Sequence, residues 1–160
     1  MNENKYDKSK LMLFDKNSID IINEMVKENA DKEILDLATK TNDKGNPIFN
    51  SAQILEIKYG MFDKLPVDKI KIYAIDNNGY SLYDNEQMSI IRQQLKFAMP
   101  MEYIDIFIQL KDGKPLFNSD EMKCIVNFID KNTHQKILQF KDCIADGLTI
   151  KQFKPFLENI

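Results

Sequence analysis

The sequence predicts an all-α fold: a solenoid-like stack of about four helix-turn-helix repeats with a C-terminal capping helix. Three observations predict it. First, one helix-start signal recurs, as GNPIFNSAQI from Gly45, GYSLYDNEQM from Gly79 and GKPLFNSDEM from Gly113, each 34 residues after the last. Second, behind each signal the apolar residues follow a helical period. Third, the chain has 5 Gly and 5 Pro in 160 residues, too few for an all-β sandwich dense in turns. A fixed period of this length marks units that bury their apolar sides only against their neighbours.

Taken in order, residues 1–12 are polar and read as a flexible arm, and residues 13–160 as one helical-repeat domain. A loose first copy, 14–44, begins FDKNSIDIINEMVKENADKEILDLAT and aligns only with a one-residue shift. The copies 45–78, 79–112 and 113–146 align without gaps. In these three, Asn50, Asp84 and Asn118 are good N-caps, able to accept the free N–H groups of the first helical turn. Gln53, Gln87 and Glu121, three residues on, can reach back and close a capping box. Phe49, Tyr83 and Phe117 precede the caps, and Ile54, Met88 and Met122 stand four residues beyond them, as hydrophobic staples. The first helix of each pair, helix A, places Ile54, Ile57 and Met61, then Met88, Ile91 and Leu95, then Met122, Ile125 and Ile129 on one face. It ends near Pro66 and Pro100.

The segments PVDKIKIYAI and PMEYIDIFIQ that follow can be read in two ways. Ile70 with Ile72, and Ile104 with Ile106, alternate as in strands, and DNNG and KDG suit hairpin turns. A short helix B instead gathers Val67, Ile70, Tyr73 and Ala74 on one face, and Met101, Ile104, Phe107 and Ile108 on the other copy's. The first copy has better helix formers there, in ADKEILDLATK, and the helix reading is favoured. The last unit reads as a helix over 134–145 and a capping helix over 149–158. The latter carries a capping box from Thr149 to Gln152 and a staple of Leu148 and Phe153.

The unit is similar to a helical repeat found in many uncharacterised proteins of Firmicutes and their mobile elements, with a pattern near F-[DN]-x-x-Q-M-x-x-I-R-x-x-L followed by L-[TP]-V-x-x-[IV]-x-x-Y-A. The matching residues are YDNEQMSIIRQQL at 83–95, FNSAQILEIKYGM at 49–61, LPVDKIKIYA at 65–74 and GLTIKQF at 147–153. The chain departs from the family in its longer inter-unit loops, such as IDNNGYSLY, and has the family's small residue inside helix A only at Gly60. The resemblance implies stacked helix pairs and supports helix B. It brings no established activity with it.

Composition narrows the function. Hydrophobic content of 43% suffices for a core, and the net charge of −3 comes from interleaved signs with no basic block or acidic tail. One Arg, Arg92, stands against 21 Lys, which disfavours bidentate reading of bases. No apolar leader and no run of about 20 apolar residues is visible, so a soluble, cytoplasmic protein is expected. Cys124 and Cys143 form no metal pattern and read as core thiols beside Ile125 and Ile144. His134 is the one histidine, at a helix start where Pro66 and Pro100 stand in other copies, and reads as solvated or capping. An EF-hand centred on Gly79 would need carboxylates at Ala74 and Asn85, and one on Gly113 would begin at Ile108, so both glycines read as turn residues. Asp63, Asp68, Glu102 and Asp105 read as solvent-face charges. No catalytic residue, metal or cofactor is expected.

The aromatics exceed what one helix stripe needs. Tyr59, Phe62, Tyr73, Tyr80, Phe97, Tyr103 and Phe107, with Arg92, are the candidate partner-binding residues, most of the rings packing between units and the remainder lining a surface. The expected function is a non-enzymatic protein-protein interaction module. The family resemblance implies a phage or other mobile-element source and a host or element-encoded protein as partner, for which a host defence complex under inhibition fits. The alternative is nucleic-acid binding through Lys58, Lys69, Lys71 and Arg92, with steep salt dependence.

Overall fold

The computed structural model describes residues 8–147 together with 151, 152 and 155. A 3-10 helix, Lys8–Leu13, leads into α1 (Lys16–Lys27) and α2 (Lys32–Ala38). Then follow α3 (Ser51–Phe62), α4 (Val67–Tyr73), β1 (Asp76–Asn77), β2 (Tyr80–Ser81), α5 (Asn85–Lys96) and α6 (Met101–Phe107). The series ends with β3 (Leu110–Lys111), β4 (Lys114–Pro115), α7 (Ser119–Lys131) and α8 (His134–Ala145). The described chain is mostly helical. The expected arm over 1–12 is corrected at its end, because Lys8–Leu13 is helical and Leu11 is buried. The expected cap helix, with Thr149, Leu148 and Phe153, lies outside the described residues.

Long helices start where the caps predict. Asn50, Asp84 and Asn118 each accept from the backbone N–H three residues on, and Gln53, Gln87 and Glu121 return the bond to the cap's own N–H. Both ends of each staple are buried: Phe49 with Ile54, Tyr83 with Met88, Phe117 with Met122. In the first copy Asp15 accepts from Ser18 N at 2.7 Å.

Each of the first three long helices ends on a left-handed residue, Asn29, Lys64 or Ala98, at φ 59, 57 and 56°. At Lys64 the amide reaches Met61 O at 3.0 Å and the Leu65 amide reaches Gly60 O at 3.0 Å, a Schellman close. The fourth long helix ends on extended Asn132 instead, which shortens that turn and accounts for the drift of the last copy.

The helix reading of the ambiguous segments holds and the strand reading does not: Ile70, Ile72, Ile104 and Ile106 are all helical. α4 and α6 are helices, and a hairpin of two-residue strands follows each. Asp76 pairs with Ser81 and Asn77 with Tyr80; Leu110 pairs with Pro115 and Lys111 with Lys114. The turn residues Asn78–Gly79 and Asp112–Gly113 all have positive φ, which makes both turns type I′. The first copy's hairpin is a single bridge, Thr41 to Pro47, around a three-residue loop closed by Gly45 at φ 79°. That loop holds one more residue than the others, which is the one-residue shift of the first copy.

The chain divides into two compact units, Met1–Phe97 and Ala98–Ile160. In the first, α1 packs on α3 and α3 on α5, while α2 lies against α1 and α3 and α4 against α3 and α5. In the second, α6 packs on α7. The first core centres on Ile22, Met25, Leu35, Ile54, Ile57, Ile70 and Tyr73, all fully buried. Tyr73 lies over Gly60 of α3, where a Cβ would stand 1.9 Å from its hydroxyl, and that hydroxyl donates to Glu56 O at 3.1 Å.

Two expected partner-binding rings are therefore corrected. Tyr73 and Phe107 are both 0% exposed: each ends a B helix with its ring turned into the core. Cys124, expected in the core, is exposed, because its position on α7 falls outside the stripe of Met122, Ile125 and Ile129; Cys143 is partly exposed.

Candidate functional site

Helices α1, α3, α5 and α7, which begin the four repeats, give an internal comparison of one outward stripe. On α1 it reads Asn17, Asp20, Glu24, Lys27; on α5, Glu86, Ser89, Gln93, Lys96; on α7, Asp120, Lys123, Asn127, Asp130. On α3 the same positions carry Ala52, Leu55, Tyr59 and Phe62. Ala52, Tyr59 and Phe62 are exposed and Leu55 half-exposed. With Ile54 and Ile57 buried on its other side, α3 is apolar nearly all round, the composition of a covered helix rather than of a surface one.

The rings on this stripe are braced from below. Arg92 on α5 donates to Glu56 Oε2 at 2.8 Å and to Asp63 Oδ2 at 2.5 Å, and Lys96 bonds Asp63 Oδ1 at 3.0 Å. The side chains of Arg92, Glu56 and Asp63 are each 12% exposed. The Arg92 guanidinium lies 5.3 Å from the Tyr59 ring centroid. Lys58, bonded to Glu24 of α1, lies 5.3 Å from the Phe62 ring. Such cation–ring contacts are worth about 0.5–1 kcal/mol at exposed sites, enough to bias a rotamer. Burial alone would lift the Asp63 carboxyl, but hydrogen bonds from Lys96 and Arg92, with their charges, outweigh it and hold it below its usual value.

The predicted residues are only partly brought together. Tyr59 and Phe62 share the α3 stripe, with Arg92 beneath as a brace rather than an open contact. Phe97, exposed, caps the end of α5 one residue past Lys96. Tyr80, also exposed, stands apart on the second hairpin. Tyr103 belongs to the second unit, where its hydroxyl meets His134 Nδ1 at 2.6 Å with Glu102 Oε1 3.7 Å from the same nitrogen. Asp63, expected on a solvent face, is instead a partly buried ion-pair acceptor.

Sequence reasoning missed Glu24, Glu56, Asp63 and Lys96 as parts of this site. A signal existed: Lys58 and Arg92 are the same column of the repeat, one period apart, and each reaches back to an acid on the preceding long helix. In the next copy that column holds Val126, and the series ends there.

The lysines of the nucleic-acid alternative are mostly occupied. Lys58 and Arg92 are held as above, and Lys71 lies 3.9 Å from Glu33. Among the described residues no group of three His, Cys, Asp or Glu side chains is placed to hold a metal ion. No helix among them is long and apolar enough to cross a membrane. No family model, curated protein or solved structure matches the chain.

Proposed function

We propose that the chain is a non-catalytic protein-interaction module, a right-handed solenoid of helix pairs that offers the outer stripe of α3 to another protein. One observation carries this reading: of four equivalent helix stripes, three are polar and one is Ala52, Leu55, Tyr59, Phe62. An apolar helix stripe ringed by charge is the usual form of a protein contact. Bracing by Arg92 and Lys58 supports it further, since rings already held in place lose little rotamer freedom on docking. The likeness to mobile-element repeats supports a host protein as partner, an inhibited defence complex among the candidates.

The test uses the full chain as bait in host extract, beside Tyr59→Ala/Phe62→Ala and a control change on α5, Gln93→Ala. A stoichiometric protein held by the wild type and the control but lost by the double variant supports the reading. Identical recoveries from all three baits, or no stoichiometric protein from any, would sink it.

A further inference from the structure

The tip of the second hairpin carries a chemical feature the other two lack. Its turn is Asn78–Gly79, whereas the equivalent pairs are Asp112–Gly113 and Lys44–Gly45. Asn78 is exposed, and its side chain has no hydrogen-bond partner among the described residues. Its φ is 53° and that of Gly79 is 84°.

We propose that Asn78 is a site of spontaneous modification in the folded protein, losing its side-chain amide through a cyclic imide formed with the Gly79 nitrogen. The Gly79 nitrogen gives up its proton to hydroxide and attacks Asn78 Cγ. The Cγ–Nδ2 bond breaks, and the nitrogen takes a proton from water, regenerating hydroxide, and leaves as ammonia. Water then opens the five-membered ring at either carbonyl, leaving Asp or, when the chain is rerouted through the side chain, isoaspartate. No oxidant or cofactor enters the balance.

The hairpin conformation favours this step. A ring joining Cγ to the next nitrogen fixes ψ near about −120°; with φ, which lies outside the ring, at about +60°, that is the first central position of a type II′ turn. Asn78 already has that φ. Only the Asn78–Gly79 peptide plane must turn over, sending Gly79 to negative φ, which glycine tolerates. Types I′ and II′ are the two favoured two-residue hairpin loops, so the imide forms without breaking the Asn77–Tyr80 pair. Two contacts hold the turn in its starting form. The Gly79 amide donates to Asp76 Oδ2 at 3.2 Å, and Gly79 O accepts from Asn42 Nδ2 of the first hairpin at 3.4 Å.

The product matters because this hairpin ties two repeats together. Lys40 Nζ bonds Asp76 Oδ1 at 2.6 Å, and Asn42 Nδ2 reaches Gly79 O at 3.4 Å. Isoaspartate adds a backbone carbon to a turn whose register allows none, and either product sets a new carboxylate beside Asp76. The link between the first and second repeats loosens with the age of the molecule.

The experiment is a time course of the purified full chain at mildly alkaline pH, native and denatured, read by peptide mapping with isoaspartate detection. The expected result is a gain of one mass unit at Asn78 in the native chain, ahead of other asparagines such as Asn50 and Asn118, whose side chains are held as caps. Asp76→Ala, which frees the Gly79 amide, speeds the gain severalfold. The Leu82 amide, bonded to Ile75 O at 2.8 Å, loses hydrogen-exchange protection in the modified fraction. The proposal is overturned if native Asn78 keeps its amide over the time in which the denatured chain converts. It is equally overturned if the native gain maps to another asparagine.

Discussion

At Gly60 a Cβ would stand 1.9 Å from the Tyr73 hydroxyl and 3.1 Å from Ile70 Cγ1. The small residue in α3 is thus there for one phenol on α4. The same column holds Gln94 where the B helix carries Phe107, which has no hydroxyl to accommodate. Gly60→Ala gains about 1 kcal/mol of helix propensity but overpacks a fully buried ring at a cost of about 1–3 kcal/mol. A net loss of up to about 2 kcal/mol is expected in denaturant unfolding. With Tyr73→Phe already in place, the same alanine becomes neutral or stabilising, a coupling that a double-mutant cycle reads directly. Arg92 sets the second residue-scale expectation. Arg92→Met leaves Glu56 and Asp63 partly buried without their guanidinium. Removing one partner of a fully buried pair costs 3–5 kcal/mol, so for these 12% exposed side chains about 2–3 kcal/mol is expected. Asp63 is held below its usual range when folded, so its contribution is complete above the unfolded value of about 4 and is lost as pH falls through the lower folded value. Urea midpoints of wild type and variant should therefore differ most at neutral pH and converge below about pH 4.

At the scale of elements, the helix starts do more than begin helices. Gln53 closes the capping box of α3 with its Oε1, and its Nε2 donates to Tyr83 O at 2.8 Å and Ser81 Oγ at 2.9 Å. One amide thereby ties a cap to the chain leading into the next long helix. Glu121 fills the same place on α7 and has no donor to spend this way. Gln53→Glu should keep the box, lose the tie and set a carboxylate against a carbonyl, costing about 1–2 kcal/mol. Glu121→Gln should be near neutral, and thermal unfolding of both variants checks the contrast. Caps and staples were legible in the sequence because they are local: four or five residues specify each one. The B helices were half legible. Ile70 and Ile72 satisfy a strand period over a span too short to separate it from a helical one, and the hairpin turn that follows, DNNG, belongs to the next element. Tyr73 and Phe107 misled because an aromatic at a helix end faces the core or the solvent according to a turn's rotation, which tertiary packing sets. The α3 stripe was present in the letters all along, but only a column-by-column comparison of the four copies isolates it, and Glu56 and Asp63 enter the site through the packing of α5 on α3.

At the scale of the whole molecule, cooperativity should follow the repeat's own linkages. In the stack of units proposed above, stability is close to a sum of local terms and neighbour contacts, so a lesion spreads only as far as the links carry it. Within Met1–Phe97 those links are dense: α1 on α3, α3 on α5, Lys58 to Glu24, Arg92 to Glu56 and Asp63, and the two hairpins joined through Lys40 and Asp76. The cation column stops there, since its next position is Val126, and the division of the chain falls at the left-handed turn of Phe97 and Ala98. Arg92→Met is therefore expected to act on one unit. Native-state hydrogen exchange should show the amides of α3 and α5 losing protection together, by the 2–3 kcal/mol or so argued for that residue. Amides of α7 and α8 should keep theirs to within about 0.5 kcal/mol, the additivity limit for distant sites. Uniform loss across α3, α5, α7 and α8 would mean that the chain unfolds as a single cooperative body, and the sum-of-neighbours account of its stability would fall.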